Sequence, residues 1–332
     1  MARRHHQVPE FYLKYFAGHD PQGSRHLWVY DKSANTNPRP QTPENTNVER
    51  GYYSFETKTG VDQQLEVMFA ELEGKASPIL ARLQEPRASL GYAEIGFLAE
   101  FLTLQHVRVS KTRNAMIEHM QIEAFKVAPI LSARRDLLKR FLEDKRPVMD
   151  GRPVQEEELA EVLHNAERDF RVEVDPKAAL IDCLKMAAGL PQLLYRMNWI
   201  VCDAPAHSHF VTSDAPVCAY LPTGPGRAVL GAGFGRANVQ ISFPVSPKVL
   251  LLIERRHGRE SHFRVSVNES FVYEMNKRMA WNAERFLVSS VRDSVVHTLV
   301  EQARVTASQR KLDRRSPGAL ISDKMRAAFD NL

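Results

Sequence analysis

Cysteine is scarce in this chain of 332 residues: there are three, Cys183, Cys202 and Cys218, widely spaced and each set among apolar neighbours. An odd, scattered set supports neither a disulfide framework nor a cysteine zinc cage, and reads as buried thiols. No run approaches the roughly 18 consecutive apolar residues that cross a bilayer, and the N-terminus lacks the apolar segment of a secretory signal. The expectation is a cytoplasmic protein with no membrane partner. The nucleophile elbow G-x-S-x-G, the zinc helix H-E-x-x-H, a C-x-x-C pair and the phosphate loop G-x-x-x-x-G-K-[ST] are missing as well, which removes the commonest hydrolase, zincin and NTPase signatures. The one glycine-dense stretch, GAGFG from Gly231 to Gly235, leads into the extended pattern ANVQISF. No helix N-terminus follows it to hold a phosphate, so a hairpin turn is the better reading.

What is present describes an ordinary water-soluble fold. Hydrophobic residues at 43% and charged residues at 26% exclude a wholly disordered, collagenous or membrane-embedded chain. The length implies two domains or one large one. A net charge of +5 would favour a polyanionic partner if it were clustered, and it is only partly so. The basic groups are the pair Arg3 and Arg4, the set Arg134, Arg135, Lys139 and Arg140, the pair Arg255 and Arg256, and the tail QRKLDRR ending at Arg315. A nucleic acid or another anionic substrate is therefore compatible with the charge without being required by it.

Periodicity places helices first and strands later. Pro9 suits the first position of a short helix that Gly18 ends, which puts His5 and His6 just before a helix start. RHLWVYD and GYYSFE read as short extended pieces around a loop rich in Asn, Thr and Pro. Helical patterns cover about 61–83, 93–114, 116–144, 156–169 and 176–195. From about 197 onward MNWIVCDA, HFVTSDAPVCAYL, RAVLGAG, ANVQISFPVS and KVLLLIE read as an antiparallel sheet, followed by the helical ESFVYEMNKRMAWNAERFLVSS and VRDSVVHTLVEQA. This order argues for an α+β class, with a mainly helical N-terminal two-thirds packed on a C-terminal antiparallel sheet. The organisation expected is one globular domain over 1–295, helical over about 60–196 and mixed β over about 197–295, then a C-terminal helix and basic tail over 296–332. That tail is expected to be mobile from about Ser308.

Several polar residues stand where apolar ones should. In FLAEFLTLQHVRVSKTR the buried stripe of Ile95, Leu98, Phe101 and Leu102 continues, by steps of three and four, onto Gln105 and Arg108. A buried guanidinium needs a carboxylate or an anionic ligand opposite it. Glu66 and Glu73 lie two helical turns apart, on one edge of the apolar stripe of their helix. Ser213 and Asp214 sit at a strand end just before Pro216, a position that suits a functional side chain or an Asx-type turn. His5 and His6 diverge in direction on either backbone type, so one can act as ligand or acid–base group while the other orients it or caps the helix.

The segment HHQVPEFYLKYFA resembles the HHxVPxFYLxxF opening of the family catalogued as domain of unknown function 4238. The similarity runs on through LWVYDK, GYYS, the Glu66 and Glu73 helix, FLTLQHVR, FVTSDAPV, FPVSP and NKRMAWNAERFLVSS, covering most of residues 5 to 290. Gln7 departs from the tyrosine more usual after the histidines. The resemblance implies a single fold of unknown reaction, with His5, His6, Glu66, Arg108, Ser213 and Asp214 at motif positions. Taken together, these residues suggest a hydrolase, in its sharpest form a metal-dependent nuclease or phosphoesterase. His6, Glu66 and Asp214 would hold a divalent ion, with His5, His6, Glu66, Arg108 and Asp214 in catalysis and Gln105 and Ser213 binding substrate. The alternative is a noncatalytic binding or interaction module in which the HHxVP segment is a structural plug.

Overall fold

The computed structural model describes residues 4–19, 25–34, 37–53, 55–57, 60–62, 64–146, 148–149, 152–165, 172–224, 227–255 and 262–314. The chain is α+β and divides into two compact units, Met1–Ser110 together with Ala187–Leu332, and Lys111–Met186.

In the first unit the chain enters as strand β1 (Arg4–His6) and short helix α1 (Glu10–Leu13), then passes through β2 (Gly18–His19), β3 (Arg25–Asp31), β4 (Arg39–Gln41), β5 (Val48–Arg50), β6 (Phe55–Thr57) and β7 (Gly60–Asp62). Helices α2 (Gln64–Arg82) and α3 (Tyr92–Val107) follow. Each end of α2 carries the charge its dipole favours, Glu66 in the first turn and Arg82 in the last. Glu94 accepts a hydrogen bond from the Gly91 N–H at 2.8 Å, fixing the start of α3, and Arg82 reaches across to the same carboxylate.

The second unit contains α4 (Ser110–Ala133, entering from the first unit), α5 (Arg135–Lys145), the small hairpin β8 (Val148–Met149) and β9 (Arg152–Pro153), α6 (Glu156–His164) and a helix at Pro176–Ala187. The helical pattern of 93–114 thus breaks at Arg108, where α3 ends, and that of 116–144 breaks at Arg134. The pattern of 176–195 is two helices, because Pro191 starts a new one at Leu190–Tyr195.

Back in the first unit, β10 (Asn198–Asp203), β11 (Thr212–Ser213), β12 (Cys218–Gly224), β13 (Arg227–Leu230), β14 (Gln240–Ser246), β15 (Val249–Glu254), β16 (Phe263–Ser266) and β17 (Phe286–Ser289) alternate with helices at Glu269–Asn282 and Ser294–Arg314. Six of these strands form a sheet in the order β13-β12-β14-β15-β10-β16. Its neighbours are antiparallel apart from β10 and β16, which run parallel, Ile200 opposite Phe263. All six residues of β15 are buried, as expected for a strand covered on both faces. Trp199, Val201, Leu251 and Ile253 point into a core shared with Tyr12, Leu80, Leu98, Phe101 and Leu102, whereas Ile200, Cys202, Leu250 and Leu252 pack against Phe210, Val272 and Met275. Burying each such side chain contributes about 1.5–3 kcal/mol, so this two-sided sheet is the mechanical base on which α1, α2 and α3 sit.

A second sheet runs β11-β17-β3-β2, with β4 also on β3, and a two-stranded one pairs β1 with β5. The glycine stretch at 231–235 is not a hairpin turn. It joins β13 to β14, both of which pair with β12 and not with each other, so it carries the chain across an intervening strand. Gly231, at φ +72°, takes the left-handed turn this needs. The C-terminal helix runs on to Arg314, past the expected start of a tail; the basic end from Arg315 lies outside the described residues. The three cysteines are buried and none is in a disulfide. Burial pushes the Cys183 thiol up to about 11 and Cys202 to about 12, which leaves both unreactive near neutrality. Among the described residues no helix is long and apolar enough to cross a membrane.

Candidate functional site

Pairing of β1 with β5 sets His5 opposite Glu49 and His6 opposite Val48. Strand alternation then sends the two histidines to opposite sides, and His5 is the one that turns inward, 4% exposed. Its Nδ1 accepts the Tyr53 backbone N–H at 3.0 Å, and its Nε2 lies 3.6 Å from Glu66 Oε1. A backbone N–H can only donate, so Nδ1 carries the lone pair and the proton sits on Nε2, facing the carboxylate. Glu66 keeps about a third of its side chain exposed (32%), so the histidine holds it from within while solvent reaches it from without.

One turn pair along α2, Glu73 meets Arg108, whose Nη1 donates to Glu73 Oε1 at 2.7 Å. Arg108 caps α3 at its C-terminal end, is 3% exposed, and lies over the Phe69 ring at 5.0 Å. Its Nε donates to Gln105 Oε1 at 2.9 Å, and Gln105 Nε2 in turn donates to the Gln7 carbonyl at 3.0 Å. The Gln7 side chain donates to Glu49 Oε2 at 2.7 Å and accepts from both Ser110 N (3.0 Å) and Ser110 Oγ (2.8 Å). Each of these groups is placed by another, with one exception. Arg108 Nη2 is buried and has no hydrogen-bond partner among the described residues. Tyr53 closes the cluster between His5 and Phe69, its phenol pKa raised by burial against the lowering field of Arg108.

The remaining candidates lie elsewhere or serve other ends. His6 Nε2 is 3.7 Å from Glu10, one turn on, and burial lowers its pKa despite that carboxylate. Asp214 accepts three backbone N–H groups, from Glu284 (2.9 Å), Arg285 (2.7 Å) and Phe286 (2.9 Å), clamping the end of β11 to the approach of β17. Burial raises the Asp214 pKa, with those three donors opposing it. The expected metal set of His6, Glu66 and Asp214 is therefore not assembled: His6 faces Glu10, Glu66 faces His5, and the Asp214 carboxylate is occupied by the backbone. Among the described residues no group of three or more His, Cys, Asp or Glu side chains is placed to hold a metal ion. The expected substrate-binding residues are also committed to the protein. Gln105 is 1% exposed and bonded at both ends, and Ser213 is fully buried, donating toward Met279 Sδ at 3.1 Å and accepting from the Ala215 N–H.

Residues 4–293 match the family described as Protein of unknown function (DUF4238). The chain belongs to that family. No curated protein and no solved structure matches it. DUF4238 membership thus covers β1 through β17, including every residue of the cluster around Arg108, and leaves out the C-terminal helix from Ser294.

Gln7, Glu49, Tyr53 and Ser110 are members of the cluster to which the sequence assigned no role. Gln7 had a signal of its own, a polar amide standing where an aromatic is more usual. Glu49 and Tyr53 had none, because their place depends on the pairing of β1 with β5, more than forty positions apart in the chain.

Proposed function

We propose that this protein is a hydrolase of anionic esters, phosphoesters being the class that fits best, and that Arg108, Glu66 and His5 carry the chemistry. The observation behind this reading is the Arg108 Nη2 group, buried without a hydrogen-bond partner among the described residues, on a guanidinium whose Nη1 is held by the partly exposed Glu73, with Glu66 two turns back along the same helix. Leaving a buried charged donor unmet costs about 1–3 kcal/mol or more, a cost that an arriving oxyanion removes. Glu73, already bonded to Nη1, holds the guanidinium in place. Glu66 takes the proton of an attacking water, and the His5 Nε2–H keeps that carboxylate oriented. Water oxygen bonds to phosphorus, the ester oxygen leaves, and the Glu66 proton is returned to it or to solvent. A nucleic-acid phosphodiester is the substrate that the basic balance favours. Among the described residues no set of His, Cys, Asp and Glu side chains is placed to hold a divalent ion.

Turnover of a chromogenic phosphodiester and of a short single-stranded oligonucleotide, with Mg²⁺, Mn²⁺ or EDTA in parallel, tests the reading. The expected outcome is turnover that falls by about 100-fold or more in Glu66→Gln, the scale of a lost general base. Absence of turnover above buffer under all three conditions overturns it. The Gln7 network favours a second reading, a noncatalytic module whose N-terminal segment is a plug: here no probe is turned over and Glu66→Gln changes nothing measurable.

A further inference from the structure

A cavity of about 510 Å³ is lined by the turn after α2, the end of β10, the β14–β15 turn and β16. Its volume falls within the roughly 300–1,000 Å³ of small-molecule sites. Three cations face it, Arg87, Lys248 and Arg264, against one carboxylate, Asp203. The ionic pair among them is closed. Arg264 grips Asp203 with both prongs, Nε at 2.7 Å and Nη2 at 2.6 Å, and its Nη1 holds the Leu83 and Ala88 carbonyls beyond the end of α2. Two positive charges are left over. Lys248 spends its protons on the carbonyls of Pro205, Ala206 and Ser208, at 3.2, 2.7 and 2.6 Å, and meets no carboxylate among the described residues. Arg87 forms no hydrogen bond or ion pair among those residues, so its guanidinium is open to a ligand.

The backbone at Arg87 gives a second, independent indication. Ala88 N donates to Glu85 O at 3.3 Å, Pro86 takes the first central position of that turn, and Arg87 takes the next with φ +69°. A turn with Pro followed by a positive φ ordinarily has Gly or Asn at the second place, because a Cβ there is strained. An arginine held in strained backbone, facing a cavity and left without a partner, is the pattern expected of a ligand contact.

We propose that this cavity binds a small organic anion, its phosphate or carboxylate group against Arg87 in the field of Lys248, and its apolar body against Val249 and Val265. The site shares no residue with the one built on Arg108.

The test is titration of the full chain with phenyl phosphate, followed by methyl NMR of Val249 and Val265, with inorganic phosphate and benzoate as parallel arms. Saturable binding that shifts both methyl groups is expected, with phenyl phosphate binding more tightly than inorganic phosphate because only the former uses the apolar wall. Comparable binding of benzoate shows that the site takes either anionic group, and much weaker binding identifies the group as a phosphate. Arg87→Gly relieves the backbone, so its unliganded melting temperature is expected to be unchanged or higher, while affinity falls by at least about tenfold for the lost charged contact. Arg87→Asn, which also tolerates this φ, is expected to behave the same way. No saturable binding of any of the three probes at millimolar concentration, or binding that leaves the Val249 and Val265 methyl groups unmoved or persists undiminished in both variants, overturns the proposal.

Discussion

The Gln7 side chain donates to Glu49 in β5 and accepts from Ser110 N and Oγ at the start of α4, while its backbone carbonyl accepts from Gln105 near the end of α3. Truncating the side chain removes the bonds to Glu49 and to the Ser110 N–H and hydroxyl, so Gln7→Ala is expected to lower stability by about 2–3 kcal/mol, read from the denaturant midpoint. Histidines give a pH signature. Burial holds the folded-state pKa of His6 and of His209 below 6.5, outweighing Glu10 and Asp293 respectively. Below that value the unfolded chain takes up protons that the folded chain resists, so stability present at pH 7.5 is lost as the pH falls from about 6.5 toward 5.5. Denaturant midpoints at the two pH values check this, and the difference should shrink in His6→Asn. At this scale the stripe of α3 made Gln105 and Arg108 legible as inward-facing, and the spacing of Glu66 and Glu73 put both on one edge of α2. Which histidine turns inward was not legible, since a one-residue change in β1 register exchanges them. Nor was the role of Asp214, whose three donors lie some seventy positions away.

Among elements, the strands buried on both faces were the easiest to recognise, because a run such as VLLLIE has no solvated side to interrupt it. The parallel neighbour β16 was not: FRVS is four residues long and mostly exposed, and its pairing is dictated by β10. The break between α3 and α4, expected near residue 115, falls at Arg108 and Val109, where no Gly or Pro marks it. The Ser294–Arg314 helix has a marked start. Asp293 Oδ1 accepts the Val295 N–H at 2.7 Å, and Oδ2 lies 3.4 Å from His209 Nε2. Replacing Asp293 with Ala is expected to cost about 1 kcal/mol and to speed amide exchange over residues 295–299, leaving exchange in the six-stranded sheet unchanged.

For the whole molecule, the division at 110 and 187 has an energetic counterpart. The first unit holds the two-sided sheet, while among the described residues of the second the buried apolar ones are Ala128, Leu138, Leu159, Ala179, Leu180 and Cys183, with Ile122, Ile130 and Met186 exposed. Lys111–Met186 should therefore lose amide protection first on heating, with a calorimetric enthalpy above the van 't Hoff value for the chain. Coincident loss of protection in both units would contradict this. Fold class was legible from the order of helices and strands. The meeting of β1, α2 and α3 around Arg108 was legible only as a set of misplaced polar residues, because the contacts that join them are long-range.

That meeting is the centre of the account, and calorimetric titration with inorganic phosphate tests it most directly. In an Arg87→Gly background, where the second cavity is weakened, phosphate should bind tightly at one site only. Adding Arg108→Lys, which keeps the charge but loses the guanidinium fork, should weaken that binding by about tenfold or more. Equal affinity in the two proteins, or no binding in either, would contradict the claim that Arg108 is an anion seat.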